Sequence, residues 1–194
     1  MTKEYLMTEV SDDNENEEIL SSRDLYLTED VNEESIQKLI KEIIKFNRID
    51  DKQEKKIVNF KRQPIFLYIN SPGGDAYTCF GLIDVINESV TPVYTKVIGI
   101  AASAAGIIFM AGRKRFMGEY ATLMYHNVWT IELGDQYTFK NEIKELNRLQ
   151  ILIDKLYMKN SSLSMETLNN WKKSKIDKFI DYRMAKRWKM ITDD

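Results

Sequence analysis

The sequence has a single cysteine, Cys79, and a single histidine, His126, among 194 residues. One cysteine cannot form an internal disulfide, and it excludes a metal site built from several cysteines. One histidine also argues against a zinc site. The formal net charge is only -2, so the sequence gives no electrostatic reason to expect nucleic acid or an anionic membrane as a partner.

The sequence also lacks a recognisable secretory leader and a long apolar run. The first twenty residues are acidic, and SDDNENEE (11–18) is typical of a solvated, flexible tract. The longest apolar stretch, around residues 97–112, is too short and too rich in glycine and alanine to span a membrane. We therefore expect a cytoplasmic protein with a flexible segment at 1–20 and a single domain at 21–194.

The hydrophobic patterns alternate between strands and helices. PIFLYIN (64–70) and PVYTKVIGI (92–100) are nearly all apolar, as in parallel strands covered on both faces. Helical spacing runs over 35–49, with Asn32 as an N-cap, and over 136–159. The charged stretch 50–63 is predicted to be a connection. This order predicts an α/β fold with right-handed crossovers.

Two of only eight glycines follow a predicted strand directly, in LYINSPGGDAY (67–77). A glycine pair at this position either forms a tight turn or lets another backbone come very close. The first interpretation is purely structural, whereas the second indicates a binding site. The pattern alone leaves both open.

Ser103 and His126 each lie where a strand pattern ends. Ser103, in GIAASAAG, can occupy a helix N-terminus, where backbone N–H groups and the helix dipole favour developing negative charge. It can equally be a small residue chosen for close packing. A lone histidine is more often structural than catalytic, so spacing alone does not establish a serine–histidine pair.

A catalytic serine and histidine also require a carboxylate that orients the imidazole. Four aspartates follow His126 in the sequence, and the hydrophobic periodicity does not choose among them. We expect most of them on solvated helix faces. They are Asp135, Asp154, Asp177 and Asp181.

Taken together, three ordered motifs resemble the ClpP family, the proteolytic subunit of the Clp proteases. YINSPGG, IGIAASAAG and LMYHN match that family's glycine, nucleophile and histidine motifs, and Ser103 follows Gly74 by 29 residues, as in the family. The resemblance extends from about residue 24 to the C-terminus and is strongest over 65–126.

The resemblance implies a serine endopeptidase that cleaves unfolded proteins or peptides in an oligomeric chamber. Ser103 corresponds to the nucleophile and His126 to the general base. The segment DKFID corresponds to the family's acidic motif, which gives Asp177 the place of the third catalytic residue. The backbone N–H groups of Gly74 and Ala104 correspond to the oxyanion hole.

The resemblance also implies a fold and an assembly. The fold is of the ClpP/crotonase type, with repeated β-β-α units. A strand and the long helix after it form a protruding handle, about residues 128–160, that joins two stacked rings of seven. The rings are homo-oligomeric or mixed with a paralogue. The chain needs no cofactor, because a separate Clp-type ATPase uses the ATP. Phe66 and Tyr68 match aromatic positions at which that partner docks.

Several departures from the family pattern keep other functions open. The N-terminus is acidic, Asn127 and Val128 follow the histidine in place of Gln-Pro, and the ending at 187–191 is diverged. A catalytically inactive paralogue that serves as a ring scaffold or regulator fits these changes, as does a viral relative that acts on capsid proteins. A crotonase-type acyl-CoA enzyme would share the fold, but it would not need the Ser103–His126 pair.

Overall fold

The computed structural model describes residues 22–192, so the predicted flexible segment 1–20 lies outside the described residues. Within this range the chain forms a six-stranded sheet and six helices. The strands are β1 (Asp24–Leu27), β2 (Ile65–Ser71), β3 (Val93–Ala102), β4 (Lys114–Met117), β5 (Thr122–Tyr125) and β6 (Lys178–Ile180). The helices are α1 (Glu33–Lys56), α2 (Ala76–Glu88), α3 (Ala104–Ala111), α4 (Gln136–Lys159), α5 (Met165–Ser174) and α6 (Tyr182–Arg187).

The strand order is β1-β2-β3-β5-β6, and β4 also pairs with β3. All pairs are parallel except β5 with β6, which is antiparallel. The apolar strands β2 and β3 lie in the centre, as their composition predicts. The first half of β3 pairs with β4 and its end pairs with β5, so the carboxyl ends of β3 and β5 lie side by side. The predicted α/β fold is confirmed.

Helix α1 begins where the sequence predicts it but continues further. The Asn32 side chain accepts from the backbone N–H of Ser35, which confirms the predicted N-cap. The prediction of a connection at 50–63 is wrong for residues 50–56, because the helix continues to Lys56. Asp50 is fully buried and accepts hydrogen bonds from both terminal nitrogens of Arg23, at 2.6 and 2.9 Å. This distant partner allows a charged residue to continue a buried helix face.

Helix α4 has the bounds that the sequence predicts, and Asp135 caps it. Its inner half packs into the core through Leu149, Ile153 and Tyr157. Its outer half extends beyond the core and leaves apolar side chains in solvent, such as Ile143 at 58% exposure. None of the helices between residues 22 and 192 is both long and apolar enough to cross a lipid bilayer.

The segment before α4 pairs with no strand among residues 22–192. The resemblance implies a strand here, yet residues 126–135 form no strand. The side chains of Trp129, Ile131 and Leu133 alternate along the segment and are 67%, 82% and 90% exposed. This alternation is typical of a strand, and a strand is assigned only where a partner supplies its hydrogen bonds. We name residues 128–133 the handle segment.

Candidate active site

Ser103 occupies a strained turn between β3 and α3. Its backbone angles, φ 50 and ψ -124, are sparsely populated by residues other than glycine. Its N–H donates a 2.9 Å hydrogen bond to the carbonyl of Met124 on β5, which fixes the turn against the neighbouring strand. Ser103 precedes α3 but does not cap it with its side chain. The hydroxyl is therefore free for another partner.

That partner is His126, which directly follows β5. The Nε2 atom of His126 lies 2.6 Å from the Oγ atom of Ser103. The two residues meet because β3 pairs with β5 in parallel, with Ala102 opposite Met124, so that both strands end at the same edge of the sheet. At this distance the imidazole can accept the hydroxyl proton.

The glycine pair passes close to the same turn. Gly73 and Gly74 have φ values of 95 and 150, and a Cβ atom on Gly73 would lie 2.8 Å from the Cβ of Ser103. A Cβ atom on Gly74 would lie 2.2 Å from the carbonyl oxygen of Val31. Of the two interpretations that the sequence leaves open, the close approach of another backbone is the correct one.

Two backbone N–H groups beside Ser103 lack a partner. Among the hydrogen bonds of residues 22–192, none is donated by the N–H of Gly74 or of Ala104. A Cβ atom on Gly73 would lie 3.0 Å from the nitrogen of Ala104, so the glycine loop and the start of α3 are adjacent. Ala104 is the first residue of α3, where the helix dipole favours negative charge. Such unpaired donors are suited to bind an oxyanion.

Three of the four candidate aspartates are engaged elsewhere. Asp135 caps α4 and Asp181 caps α6. Asp154 is only 2% exposed, so it is not one of the aspartates on a solvated helix face. Its carboxylate accepts from the Tyr125 hydroxyl and pairs with Lys172, and these partners explain its burial.

Asp177 is the remaining candidate, and it lies beside His126. The antiparallel register of β5 and β6 pairs Tyr125 with Lys178, so one further step places His126 opposite Asp177. Both residues line a small cavity of about 190 Å³. The described residues contain no hydrogen bond between the Asp177 carboxylate and the imidazole.

A buried polar network holds the chain on both sides of His126. The Gln150 side chain donates to the Tyr125 hydroxyl and to Asp154, each at 2.9 Å, and accepts from the N–H of Val128 at 3.0 Å. Lys172 pairs with Asp154 from α5. The residues on either side of the histidine are thereby tied to α4 and α5. The sequence analysis missed this network, although an aspartate next to Ile153 in an apolar stripe is a visible signal.

A cleft of about 730 Å³ opens beside the serine. Its lining includes the glycine loop, Ser103, His126, most of the handle segment and one face of α4. No lysine or arginine lines it, and most of the lining is apolar. Within residues 22–192, no group of three histidine, cysteine, aspartate or glutamate side chains is placed to hold a metal ion. The cleft has the dimensions of a small-peptide or ligand site.

A serine paired with a histidine at a strained strand-to-helix turn, next to unpaired backbone N–H groups, defines a site of the serine-hydrolase class. The profile of the family described as Clp protease matches residues 8–193. The chain therefore belongs to the Clp protease family. Because its members are serine-type peptidases, the predicted family and enzyme class are confirmed.

Curated relatives with similar sequences carry the same description. The ATP-dependent Clp protease proteolytic subunit of Mesostigma viride is 33% identical over 171 residues, covering 87% of this chain and 69% of that protein. That of Chlorokybus atmophyticus is 32% identical over 171 residues, or 87% and 71% of the two chains. Subunit 2 of Treponema denticola is 30% identical over 142 residues, or 72% and 66%.

Proposed function

We propose that this chain is a serine endopeptidase that hydrolyses peptide bonds through an acyl-enzyme. The Ser103 hydroxyl attacks the scissile carbonyl carbon while His126 accepts its proton. The N–H groups of Gly74 and Ala104 stabilise the resulting oxyanion, and His126 returns the proton to the leaving amine. Water, deprotonated by the same imidazole, then releases the acyl group from Ser103. Asp177 holds the imidazole in the required tautomer.

The observation that carries this proposal is the 2.6 Å contact between Ser103 Oγ and His126 Nε2. The test is cleavage of a short fluorogenic peptide by the wild type and by Ser103→Ala, with labelling by a fluorophosphonate probe and sizing of the assembly. Ser22→Ala is the matched control, because Ser22 is exposed and its hydroxyl forms hydrogen bonds only with Asp24 among residues 22–192.

We expect activity and labelling in the wild type and the control, and neither in Ser103→Ala. An assembled wild type that neither cleaves nor takes up the probe would instead support the ring-scaffold alternative. Binding of an acyl-CoA thioester by such a protein would support the crotonase-type alternative.

We further propose that the chain works as stacked rings and receives substrates from a Clp-type ATPase. The exposed handle segment supports assembly, because isolated chains rarely leave such apolar patches in water. Rings of seven, pure or mixed with a paralogue, follow from the family resemblance. ATP is consumed by the partner, so this chain needs no cofactor, and a cytoplasmic location remains a prediction.

An aromatic cluster on the sheet supports ATPase docking. Tyr26 stacks on Tyr68 with ring centroids 5.2 Å apart, and Phe66 meets Tyr94 edge-on at 5.5 Å. Tyr26 is 58% exposed, so part of this cluster is available to a partner. ATP-dependent degradation of a protein by the chain with a Clp-type ATPase tests the idea, and Tyr68→Ala should abolish it while sparing cleavage of short peptides.

A further inference from the structure

One face of α4 forms a wall of the cleft and becomes steadily more buried. The lining residues follow the helical spacing of 3 and 4, from Glu142 through Leu146, Leu149 and Ile153 to Tyr157. Glu142 and Leu146 are partly exposed, whereas Leu149, Ile153 and Tyr157 are 4%, 3% and 1% exposed. Tyr157 therefore forms the deep end of the cleft, beyond an apolar stretch.

The Tyr157 hydroxyl has no hydrogen-bond partner among residues 22–192. Its ring packs edge-on against Tyr125, with centroids 5.3 Å apart. Asn127 Oδ1 is the only fully sealed side-chain nitrogen or oxygen atom of the described residues without a partner. The Tyr157 hydroxyl therefore keeps a small accessible area, and Tyr157 is one of the residues that line the cleft. Burial raises the pKa of this hydroxyl, so it keeps its proton and can donate. Buried tyrosine hydroxyls normally find a partner.

This hydroxyl lies under the helix that begins at the nucleophile. A Cβ atom on Gly106 would lie 3.1 Å from the Tyr157 hydroxyl oxygen, and Gly106 is three residues beyond Ser103. Ile107, the next residue of α3, also lines the cleft. The space between α3 and α4 is thus adjacent to Ser103. It is positioned to take the side chain of the residue that supplies the scissile carbonyl.

We propose that this space is the primary specificity pocket and that Tyr157 selects a long, uncharged side chain with a hydrogen-bonding end, glutamine above all. The inference rests on the proposed peptidase function. The apolar walls favour the methylene groups, and the amide oxygen accepts from the hydroxyl at the floor. An apolar side chain would leave that hydroxyl desolvated and unpaired. A charged end would lose its hydration where Leu149, Ile153 and Tyr157 offer no opposite charge.

The test uses four fluorogenic peptides that differ only in the residue before the scissile bond: glutamine, norleucine, leucine or lysine. We expect the wild type to cleave the glutamine peptide with a kcat/KM about tenfold above that of norleucine, which has a similar length but no polar end. Tyr157→Phe should reduce this ratio to one or below. Tyr120→Phe should preserve it, because Tyr120 is 95% exposed and outside the cleft.

The proposal is overturned if the wild type cleaves the norleucine or leucine peptide with the same kcat/KM as the glutamine peptide. This comparison does not depend on the folding of any variant. A ratio unchanged in Tyr157→Phe overturns it as well. A wild type that cleaves none of the peptides and takes up no fluorophosphonate overturns the proposed function, and the pocket assignment with it. Cleavage without the preference for glutamine overturns the pocket assignment alone.

Discussion

The buried carboxylate of Asp154 and the ammonium group of Lys172 form an ion pair that joins α4 to α5. The side chain of Asp154 is 2% exposed and that of Lys172 is 20% exposed. Asp154 also accepts from the Tyr125 hydroxyl, and Tyr125 immediately precedes the histidine. The position of the imidazole therefore depends on a charge pair that it does not contact.

Asp154→Asn should destabilise the protein by about 3 kcal/mol, because the variant leaves the partly buried Lys172 charge without its partner. The measurement is urea unfolding at a fixed protomer concentration, since assembly contributes to stability. Glu34→Gln is the matched control: it breaks the exposed pair of Glu34 with Lys38 and should change nothing measurable. Equal effects of the two substitutions would contradict a structural role for the buried pair.

Gly74→Ala should reduce kcat by at least about a hundredfold, the effect of losing one oxyanion donor. The new Cβ atom would lie 2.2 Å from the Val31 carbonyl oxygen, so the loop must shift and carry the Gly74 N–H with it. Gly81→Ala provides the comparison, since a Cβ atom there meets nothing within 4 Å. That variant should be fully active and slightly more stable, because alanine is the better helix former. Normal turnover by Gly74→Ala would exclude its N–H from the site.

Asp177→Asn should lower kcat by about a thousandfold or more if its carboxylate orients the imidazole, because an amide favours the wrong histidine tautomer. KM should change far less, since Asp177 does not line the main cleft. Asp181→Asn is the control, as asparagine caps a helix about as well as aspartate. Full activity of Asp177→Asn would mean that His126 works without a carboxylate partner.

Ile131→Asp should prevent assembly, because it places a charge within the exposed handle segment. Size-exclusion chromatography with light scattering would detect smaller particles. Val58→Asp tests whether any new surface charge has this effect, since Val58 is 88% exposed, follows α1 and does not line the cleft. A large assembly formed equally well by Ile131→Asp would rule out this segment as the contact between copies.

Helices and strands that depend on a local residue pattern could be predicted from the sequence, whereas those that depend on distant contacts could not. Helix α4 follows from an uninterrupted apolar stripe and its capping Asp135. The end of α1 could not be predicted, because Asp50 is stabilised in the helix by Arg23, which is 27 residues away. Strand β6 has only three residues and exists through its pairing with β5, so its own sequence carries too little pattern.

The same distinction applies to the site. Ser103 and His126 could be selected as candidates because each ends a strand pattern. Their 2.6 Å contact depends on the pairing of β3 with β5, which no local pattern encodes. The strained φ of Ser103 and the depth of Tyr157 also arise from tertiary packing. Local sequence therefore identifies the reacting groups, and tertiary packing determines their geometry.

The handle segment lines the cleft and is also the part of the chain that we expect to contact a neighbouring copy. Trp129 and Ile131 line the cleft, yet nothing in residues 22–192 pairs with their backbone as a strand. A neighbouring copy that supplied this pairing would complete the wall against which a substrate lies. Peptide-bond hydrolysis would then require assembled subunits, and a single subunit would be inactive. A newly made chain, still alone, would pose little danger to the proteins around it.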